Sequence, residues 1–293
     1  MSLTSRIVVI GASGQLGSDL MGAFSDCAPS GVDHRMVDIE HPASVAAMIA
    51  RYKPSLILNT AAFHNVELCE MRSERAFAVN AVAVDQLAGQ CEIAGIPLVH
   101  VSTDYVFDGL THEPYCETDT AKPVNVYGIS KLAGEQLVRR RTARHFIVRT
   151  SGLYGLRGSS TKGYTFIERM LAQAAEGKKI SVVDDITFSP SYTRHVAACV
   201  RRIVENGSFG TFHVTNSGQC TWLEFAREIF RQAGLSPEVL PVSADVFPTF
   251  AVRPPFSALR HAAMLALGLP PAPPWQDGVH DYLAERKAAA SAG

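Results

Sequence analysis

The sequence predicts an α/β protein organised around a doubly wound parallel sheet. Apolar, β-branched runs alternate with helical patterns through the first half of the chain, and a glycine-rich turn follows the first run. Strands of a parallel sheet are buried on both faces and are joined through helices by right-handed crossovers. We expect a main domain at residues 1–155, with returning segments near 180–215, and a smaller interleaved C-terminal substrate domain at residues 156–293.

Composition narrows the class of ligand. The net charge of the 293 residues is −1, which does not suggest the basic surface that nucleic-acid binding requires. No apolar run approaches the ~20 residues that span a bilayer. The six cysteines show no C-x-x-C spacing, so they read as reduced thiols. We expect a cytoplasmic protein with no nucleic-acid or membrane partner.

The first strand, residues 6–10, runs into glycines spaced G-x-x-G-x-x-G, and a helical pattern follows. Such glycines allow a tight turn and let the backbone approach a pyrophosphate at a helix N-terminus. The pattern predicts a Rossmann-type dinucleotide site formed by Gly11, Ser13, Gly14, Gln15, Leu16 and Gly17.

The second strand is predicted near residues 32–37. Asp33 follows Gly11 by 22 residues, where an acidic side chain would bind the adenosine ribose of NAD. Arg35 suits the 2′-phosphate of NADP instead, and the two interpretations compete. The next turn supplies candidate adenine contacts, Asp38 and Ile39.

A third strand at residues 56–59 ends in small residues that permit close approach of a cofactor, and we assign Ala61, Ala62 and Phe63 to the cofactor site. His64 is either a catalytic base or, as we favour, a packing or hydrogen-bonding group. The predicted helix at residues 67–89 carries Asn80, which we expect to reach back to the active-site backbone.

The fourth strand delivers polar groups at its C-terminal end, as Ser102, Thr103, Asp104 and Tyr105. A helix opens after Pro123, and on it Tyr127 and Lys131 are four residues apart and share a face.

This pair predicts acid–base chemistry. An ammonium within ~4–6 Å lowers the pKa of a phenol from about 10. Tyr127 would then donate a proton to a carbonyl oxygen as hydride arrives, and Thr103 would hydrogen-bond the same oxygen.

The remaining pattern is looser. Helices are predicted at residues 43–52, 164–176, 194–205 and 222–233, and strands at residues 146–149, 180–185 and 210–214. A series of prolines interrupts the C-terminal region.

The chain resembles the extended short-chain dehydrogenase/reductases, and within them the dTDP-4-dehydrorhamnose reductase family. The resemblance runs nearly end to end. It rests on the glycine loop, Ser-Thr-Asp-Tyr-Val-Phe-Asp-Gly at residues 102–109, Tyr-Gly-x-Ser-Lys-Leu-x-Gly-Glu at residues 127–135, and Arg-Pro-x-x-Ser-x-Leu at residues 253–259.

The resemblance implies reduction of a 4-keto nucleotide sugar by NADPH, with NADH possible. Thr103, Tyr127 and Lys131 would be catalytic, and Lys131 would also bind the nicotinamide ribose. The cofactor set would include Ser102, Tyr127 and Lys131, and the substrate set Thr103, Asp104, Tyr105, Gly152 and Arg253. A homodimer is compatible with the family. Some members use Mg²⁺ at a dimer contact, although no ligand cluster is visible in this sequence.

Three departures fall in the substrate half. Gly152 stands where the family commonly has a tryptophan, Thr165 replaces an asparagine, and residues 185–191 replace an Asp-Gln-x-Gly-x-Pro-Thr segment. These departures leave the identity of the sugar nucleotide undetermined. Regulatory subunits of methionine adenosyltransferase resemble the same branch, so a non-catalytic dinucleotide-binding protein, or an enzyme for another nucleotide sugar, is the alternative.

Overall fold

The computed structural model describes residues 6–157, 165–247 and 249–291. The strands are Ile7–Ile10 (β1), Ser30–Val32 (β2), Leu56–Asn59 (β3), Leu98–Thr103 (β4), His145–Thr150 (β5), Leu153–Tyr154 (β6), Ile180–Val183 (β7), Thr187–Phe188 (β8), Ser191–Tyr192 (β9), Gly210–His213 (β10), Asn216–Ser217 (β11), Cys220–Thr221 (β12), Val239–Val242 (β13) and Ala272–Pro274 (β14). The α-helices are Gln15–Ala23 (α1), Pro42–Tyr52 (α2), Val66–Met71 (α3), Ser73–Phe77 (α4), Ala83–Ala94 (α5), Val126–Arg141 (α6), Phe166–Ala175 (α7), Thr193–Asn206 (α8), Trp222–Ala233 (α9), Ala262–Ala266 (α10) and Trp275–Ser291 (α11).

Six strands form one parallel sheet in the order β10-β5-β4-β3-β1-β2. Successive residues of a strand face opposite sides. Ile7 and Val9 therefore pack into a core with α1 and α8, and Val8 and Ile10 pack into a second core with α2 and α5. The predicted Rossmann-type doubly wound sheet is confirmed. The order reverses beside β1, and ligands of such sheets bind outside the carboxyl ends of strands at this point.

A smaller layer packs α7, α9 and α11 around the aromatic side chains Tyr154, Phe188 and Phe225. The pair β7–β13 lies against it. Within the segment near 180–215, β10 joins the main sheet beside β5, and α8 packs on α1, where Arg201 donates to the carbonyl of Ala23 at 2.6 Å. The chain thus crosses between the two layers several times.

Three elements differ from the prediction. The second strand ends at Val32 because the Asp33 side chain accepts the backbone N–H groups of Arg35 and Met36, which closes a turn. The helix predicted at residues 67–89 is divided into α3, α4 and α5, with a π-helical turn at Ala78–Val82. The predicted start at Tyr164 lies outside the described residues, and α7 begins after Thr165, whose side chain caps it.

Candidate active site

A cleft of about 580 Å³ lies along the carboxyl ends of the central strands. Its walls include most of the residues selected from the sequence: Gly11, Ser13, Gly14, Gln15, Leu16, Gly17, Asp33, Asp38, Ile39, Ala61, Ala62, Ser102, Thr103, Asp104, Tyr127, Lys131 and Gly152. Arg35, Phe63, Asn80, Tyr105 and Arg253 are outside this lining. The glycine loop and the Tyr127–Lys131 pair therefore face the same space.

The glycine loop forms a backbone cradle. Gly11 has a φ of +80°, and a Cβ there would lie 2.5 Å from Thr60 Oγ1. At Gly17 a Cβ would overlap the carbonyl of Gly11, so the glycine is what lets α1 pack on the loop. Gly14 precedes α1 and offers no side chain to its first amides. The amino end of α1 therefore presents backbone N–H groups to the cleft, as binding of a pyrophosphate requires.

Asp33 and Arg35 are paired with each other. Arg35 Nη2 lies 3.0 Å from Asp33 Oδ2, and this contact holds the pKa of the carboxyl below its ordinary value. Asp33 faces the cleft, whereas the Arg35 side chain is 81% exposed and lies outside the lining. The two residues, which the sequence left in competition, form one unit that reduces the negative charge of Asp33.

Sequence reasoning missed two basic residues at the same end of the cleft. His34 and Arg75 line it, and Arg75 forms an ion pair with Glu40. Neither residue belongs to a recognisable motif, and Arg75 reaches the cleft from α4, about 40 residues beyond β2 in the chain.

Asn80 and Phe63 shape the cleft wall from behind. Asn80 Oδ1 accepts from the backbone N–H of Phe63 at 2.8 Å, and its Nδ2 donates to the carbonyl of Phe63 at 2.9 Å. Asn80 also donates to Ser130 on α6. It reaches back to the active-site backbone as expected, but it is fully buried and not part of the lining, so its effect on a ligand is indirect.

Thr103 connects Tyr127 to a buried carboxylate. Thr103 Oγ1 donates to Asp104 Oδ1 at 3.0 Å, and the same hydroxyl is hydrogen-bonded to Tyr127. The Thr103 hydroxyl thus connects the phenol of Tyr127 to the carboxylate of Asp104. Asp104 also accepts from Ser151 and from Ser257. Burial raises the pKa of Asp104, and these three hydroxyls oppose that shift.

The electrostatics of Tyr127 differ from the sequence expectation. Burial raises the pKa of Tyr127, the negative charge of Asp104 adds to the rise, and the hydrogen bond from Thr103 only partly offsets it. The expected lowering by Lys131 is wrong for the free protein, because desolvation of the phenolate dominates. Tyr105, whose ring meets that of Tyr127 edge-on at 6.0 Å, has its pKa raised by burial to about 12.

Lys131 is almost fully buried. Its Nζ donates to the carbonyl of Val101 at 2.6 Å and lies 3.4 Å from His100 Nε2. Burial lowers the pKa of Lys131 to about 8, and the charge of Glu135 opposes this. The ammonium therefore loses its proton at a mildly alkaline pH, far below the ordinary range of lysine, which sequence spacing alone could not indicate.

A buried ion pair anchors α6. Glu135 receives hydrogen bonds from Arg149 at 2.9 and 2.7 Å, from Ser102 at 2.6 Å and from Arg139 at 2.9 Å. Through these bonds the helix that carries Tyr127 is fixed to β4 and β5.

Gly152 lines the cleft, but its missing side chain does not leave an opening. Its φ is +52°, and the ring of Phe188 occupies the space into which a Cβ would point. Phe188 is in turn stacked on Trp222, with ring centroids 3.9 Å apart. The ring of Phe188 therefore fills the direction in which a side chain at position 152 would point.

Arg253 lies beside the cleft rather than in its lining. It pairs with Glu67 at 2.8 Å and contacts Tyr105, which in turn contacts Tyr127. The pKa of Glu67 is low despite the opposing effect of burial, because the amides of Ala251 and Phe250 and the Arg253 guanidinium stabilise its charge. An anionic ligand would compete with Glu67 for this arginine.

Three further findings concern the described residues. His64 lines the cleft, and its Nδ1 lies 3.4 Å from the carbonyl of Ala62. Within residues 6–157, 165–247 and 249–291, no group of three His, Cys, Asp or Glu side chains is arranged to bind a metal ion. Every helix in those ranges is too short or too polar to cross a bilayer.

Comparison with known proteins gives consistent matches. The RmlD substrate binding domain model matches residues 5–288. A dTDP-4-keto-6-deoxy-D-glucose reductase of Streptomyces niveus is 36% identical over 277 residues, covering 93% of this chain and 94% of that protein. The dTDP-4-dehydrorhamnose reductase of Mycobacterium tuberculosis is 36% identical over 292 residues, covering 96% and 93%.

A solved structure agrees in fold. The dTDP-4-dehydrorhamnose reductase of Bacillus anthracis, crystallised in complex with NADP, superposes with a TM-score of 0.92 at 34% identity, covering 96% of this chain and 99% of that one. The expected class of NAD(P)-dependent oxidoreductase is confirmed. Both the matched length and the identity of the relatives lead to one assignment: the chain belongs to the RmlD substrate binding domain family, as the resemblance in its sequence implied.

Proposed function

We propose that this protein reduces the 4-keto group of dTDP-4-dehydrorhamnose to give dTDP-L-rhamnose, with NADPH as the preferred cofactor. The observation that carries the proposal is the presence of Thr103, Tyr127 and Lys131 in the same cleft as the glycine loop. The relatives' names supply the substrate class, because they are reductases of dTDP-linked keto sugars.

The residues of the cleft fit a dinucleotide. The glycine cradle leaves room for a pyrophosphate against the amino end of α1. At the other end, the hydroxyl Oγ1 of Thr150 is buried and has no hydrogen-bond partner among the described residues. Such a group is costly to bury alone, so it favours a ligand that supplies the missing partner. Bound NADPH would supply a hydride.

Tyr127 acts as a neutral acid in this proposal. Its raised pKa keeps it protonated, so a proton is available when negative charge develops on the carbonyl oxygen. On substrate binding this proton is directed to the carbonyl oxygen. Thr103, which is held by its hydrogen bond to Asp104, keeps Tyr127 in place for contact with the substrate.

Lys131 has two tasks in this proposal. It would bind the nicotinamide ribose hydroxyls, and its charge would stabilise the phenolate left after proton transfer. The pKa of about 8 limits the second task to pH values at which Lys131 is protonated.

NADPH is preferred over NADH in this proposal because basic side chains lie near the end of the cleft that would hold the adenosine ribose. His34 and Arg75 line the cleft there, and Arg35 lies beside Asp33. The related Bacillus anthracis structure contains NADP. Asp33 opposes a 2′-phosphate, but Arg35 compensates part of its charge.

Arg253 is the proposed anchor for the substrate pyrophosphate. Its planar guanidinium can form bidentate contacts with phosphate oxygens, which lysine cannot reproduce. The anchor requires Arg253 to exchange its present partner, Glu67, for the ligand.

The activity test is NADPH oxidation with dTDP-4-dehydrorhamnose, with product identified by mass spectrometry as dTDP-rhamnose. A panel of 4-keto sugars linked to dTDP, UDP, GDP and CDP reports the nucleotide preference. Turnover only with another sugar would correct the substrate. Cofactor binding without oxidation of any keto sugar would instead support a dinucleotide-binding regulatory protein.

Binding of dTDP-rhamnose to Arg253→Ala and Arg253→Lys tests the anchor. We expect a loss of roughly 10- to 100-fold for Arg253→Ala, the range of a charge-assisted hydrogen bond, with Arg253→Lys recovering only part. Arg260→Ala, which removes an arginine paired with the exposed Glu113, is the matched control. Unchanged affinity in Arg253→Ala would remove the arginine from the substrate site.

A further inference from the structure

His100 is a fully buried histidine that the catalytic scheme does not use. It lies on β4, one residue before Val101, and its Nε2 is 3.4 Å from Lys131 Nζ. Burial and the neighbouring charge of Lys131 hold the pKa of His100 well below its ordinary value, so the ring is neutral. A neutral imidazole carries one proton on one of its two ring nitrogens. The position of this proton determines whether Nε2 offers Lys131 a hydrogen-bond donor or an acceptor.

The neighbours of His100 determine that choice. Asn59 Oδ1 accepts from the backbone N–H of Ala61 at 3.1 Å, which fixes the orientation of its amide. Asn59 Nδ2, which can only donate, therefore points at His100 Nδ1 at 3.4 Å. Nδ1 must then be the unprotonated nitrogen, and the proton lies on Nε2, directed at Lys131.

This arrangement has a consequence for Lys131. An ammonium has three donors and no lone pair, so an Nε2–H group facing it is a donor against a donor. A neutral amine has a lone pair that accepts from Nε2–H while one of its own N–H groups donates to Val101. The chain of contacts from the Ala61 amide through Asn59 and His100 thus favours the neutral amine.

The other charged groups around Lys131 act differently. Glu135, one turn along α6, favours the ammonium, but its carboxylate is already engaged by Arg149 and Arg139. Asn80 and Asn59, on the neighbouring elements, carry no charge. A Cβ added at Gly134 would lie 3.6 Å from His100 Nε2. The glycine thus allows helix α6 to pack close to the histidine.

We propose that His100 is a positioning residue for Lys131, which presents Nε2–H to the amine and thereby sets the pH range in which Lys131 is charged. The effect of His100 on the charge of Lys131 does not depend on the proposed function. Its consequence for catalysis does rest on that function, in which the Lys131 ammonium stabilises the Tyr127 phenolate. His100 also links this charge to the Asn59–Ala61 segment that borders the cofactor cleft.

The first test is the tautomer of His100 in the wild-type protein. Nitrogen-15 NMR of the imidazoles at pH 7, with the His100 signals identified by their loss in His100→Asn, distinguishes the two nitrogens among the ten histidines. We expect Nδ1 unprotonated and Nε2 protonated. Protonation of Nδ1, alone or together with Nε2, would overturn the proposal.

The second test is the proton affinity of Lys131, followed by the carbon-13 shift of its Cε, with Lys131→Met to identify the signal. His100→Gln places an amide near the position of Nε2, and this amide can turn its oxygen to the ammonium. We expect the titration midpoint to rise by about one pH unit, a tenfold gain in proton affinity.

His145→Gln, which alters a histidine that bonds the carbonyl of Thr142 instead, is the matched control and should leave the midpoint in place. An unchanged midpoint in His100→Gln would overturn the proposal. Neither measurement uses turnover, so absence of reductase activity would contradict only the proposed function. Where turnover is present, the alkaline limb of kcat/KM should move with the midpoint.

Discussion

Glu135 and Arg149 form a buried ion pair in which two hydrogen bonds, of 2.9 and 2.7 Å, join helix α6 to strand β5. Both side chains are less than 5% exposed. Removing one partner of such a pair leaves an uncompensated buried charge, which typically costs ~3–5 kcal/mol.

Glu135→Gln is therefore expected to lower the free energy of unfolding by about 3–5 kcal/mol at pH 7. Arginine and serine contacts hold the pKa of Glu135 below 4.5 despite the opposing effect of burial. A lowered acid pKa contributes stability above the unfolded value that is lost as pH falls through the folded value. The difference between wild type and variant in urea unfolding should therefore narrow below pH 4.5.

Glu176→Gln, in an exposed pair with Lys178, is the control and should change stability by about 0–1 kcal/mol. Equal losses of unfolding free energy in the two variants would mean that the buried ion pair stabilises the fold no more than the exposed one.

Tyr127→Phe removes the proposed proton donor and keeps the ring. Turnover on a confirmed substrate should fall by roughly 10²–10⁴-fold, while cofactor affinity and the unfolding midpoint stay close to wild type. Steady-state kinetics and fluorescence titration of NADPH measure these quantities. Tyr52→Phe on α2, outside the cleft lining, is the control. Wild-type turnover in Tyr127→Phe would show that another group supplies the proton.

The charge of Lys131 should appear in the pH profile. Because burial lowers its pKa to about 8, kcat/KM is expected to decline as pH rises through that value and the ammonium loses its proton. A profile measured from pH 6 to 10 tests this. The Lys131→Met variant should bind the cofactor less tightly and turn over slowly. Its kcat/KM should not show the decline near pH 8. A wild-type profile that remains flat to pH 10 would contradict the assignment.

Arg35→Ala should separate the two cofactors. Loss of the guanidinium removes the proposed partner for the 2′-phosphate and leaves the charge of Asp33 uncompensated, so NADPH affinity should fall by roughly 10- to 100-fold. NADH, which lacks that phosphate, should be much less affected. Titration of both reduced cofactors measures the ratio, with Arg51→Ala as a remote control. An equal loss for both would remove Arg35 from phosphate recognition.

Gly152→Ala tests the contact with Phe188. Both Gly152 and Gly177 have positive φ, +52° and +66°, but only at Gly152 does another side chain occupy the position of the new Cβ. The left-handed backbone should cost each alanine variant roughly 1–2 kcal/mol. Thermal unfolding should show a larger loss for Gly152→Ala than for Gly177→Ala. Equal losses would mean that Phe188 moves aside freely, and that this wall of the substrate half is adaptable.

The sequence by itself determined the parallel sheet, the glycine turn and the alignment of Tyr127 with Lys131. These features depend on local periodicity and on residues that are near one another in the chain. The second strand was predicted at residues 32–37 but lies at Ser30–Val32, because the hydrogen bonds of the Asp33 side chain that end it are not visible in an apolar pattern.

Only the tertiary structure decided the charges and partners of the site. Ser257 reaches Asp104 across 153 residues and Arg253 reaches Glu67 across 186, and neither spacing has a periodic signature. The protonation of Lys131 and Tyr127 depends on how much water the folded chain removes from around them, and desolvation is a property of the packed environment. For that reason the sequence could name the candidate catalytic side chains but could not assign the direction of their pKa shifts.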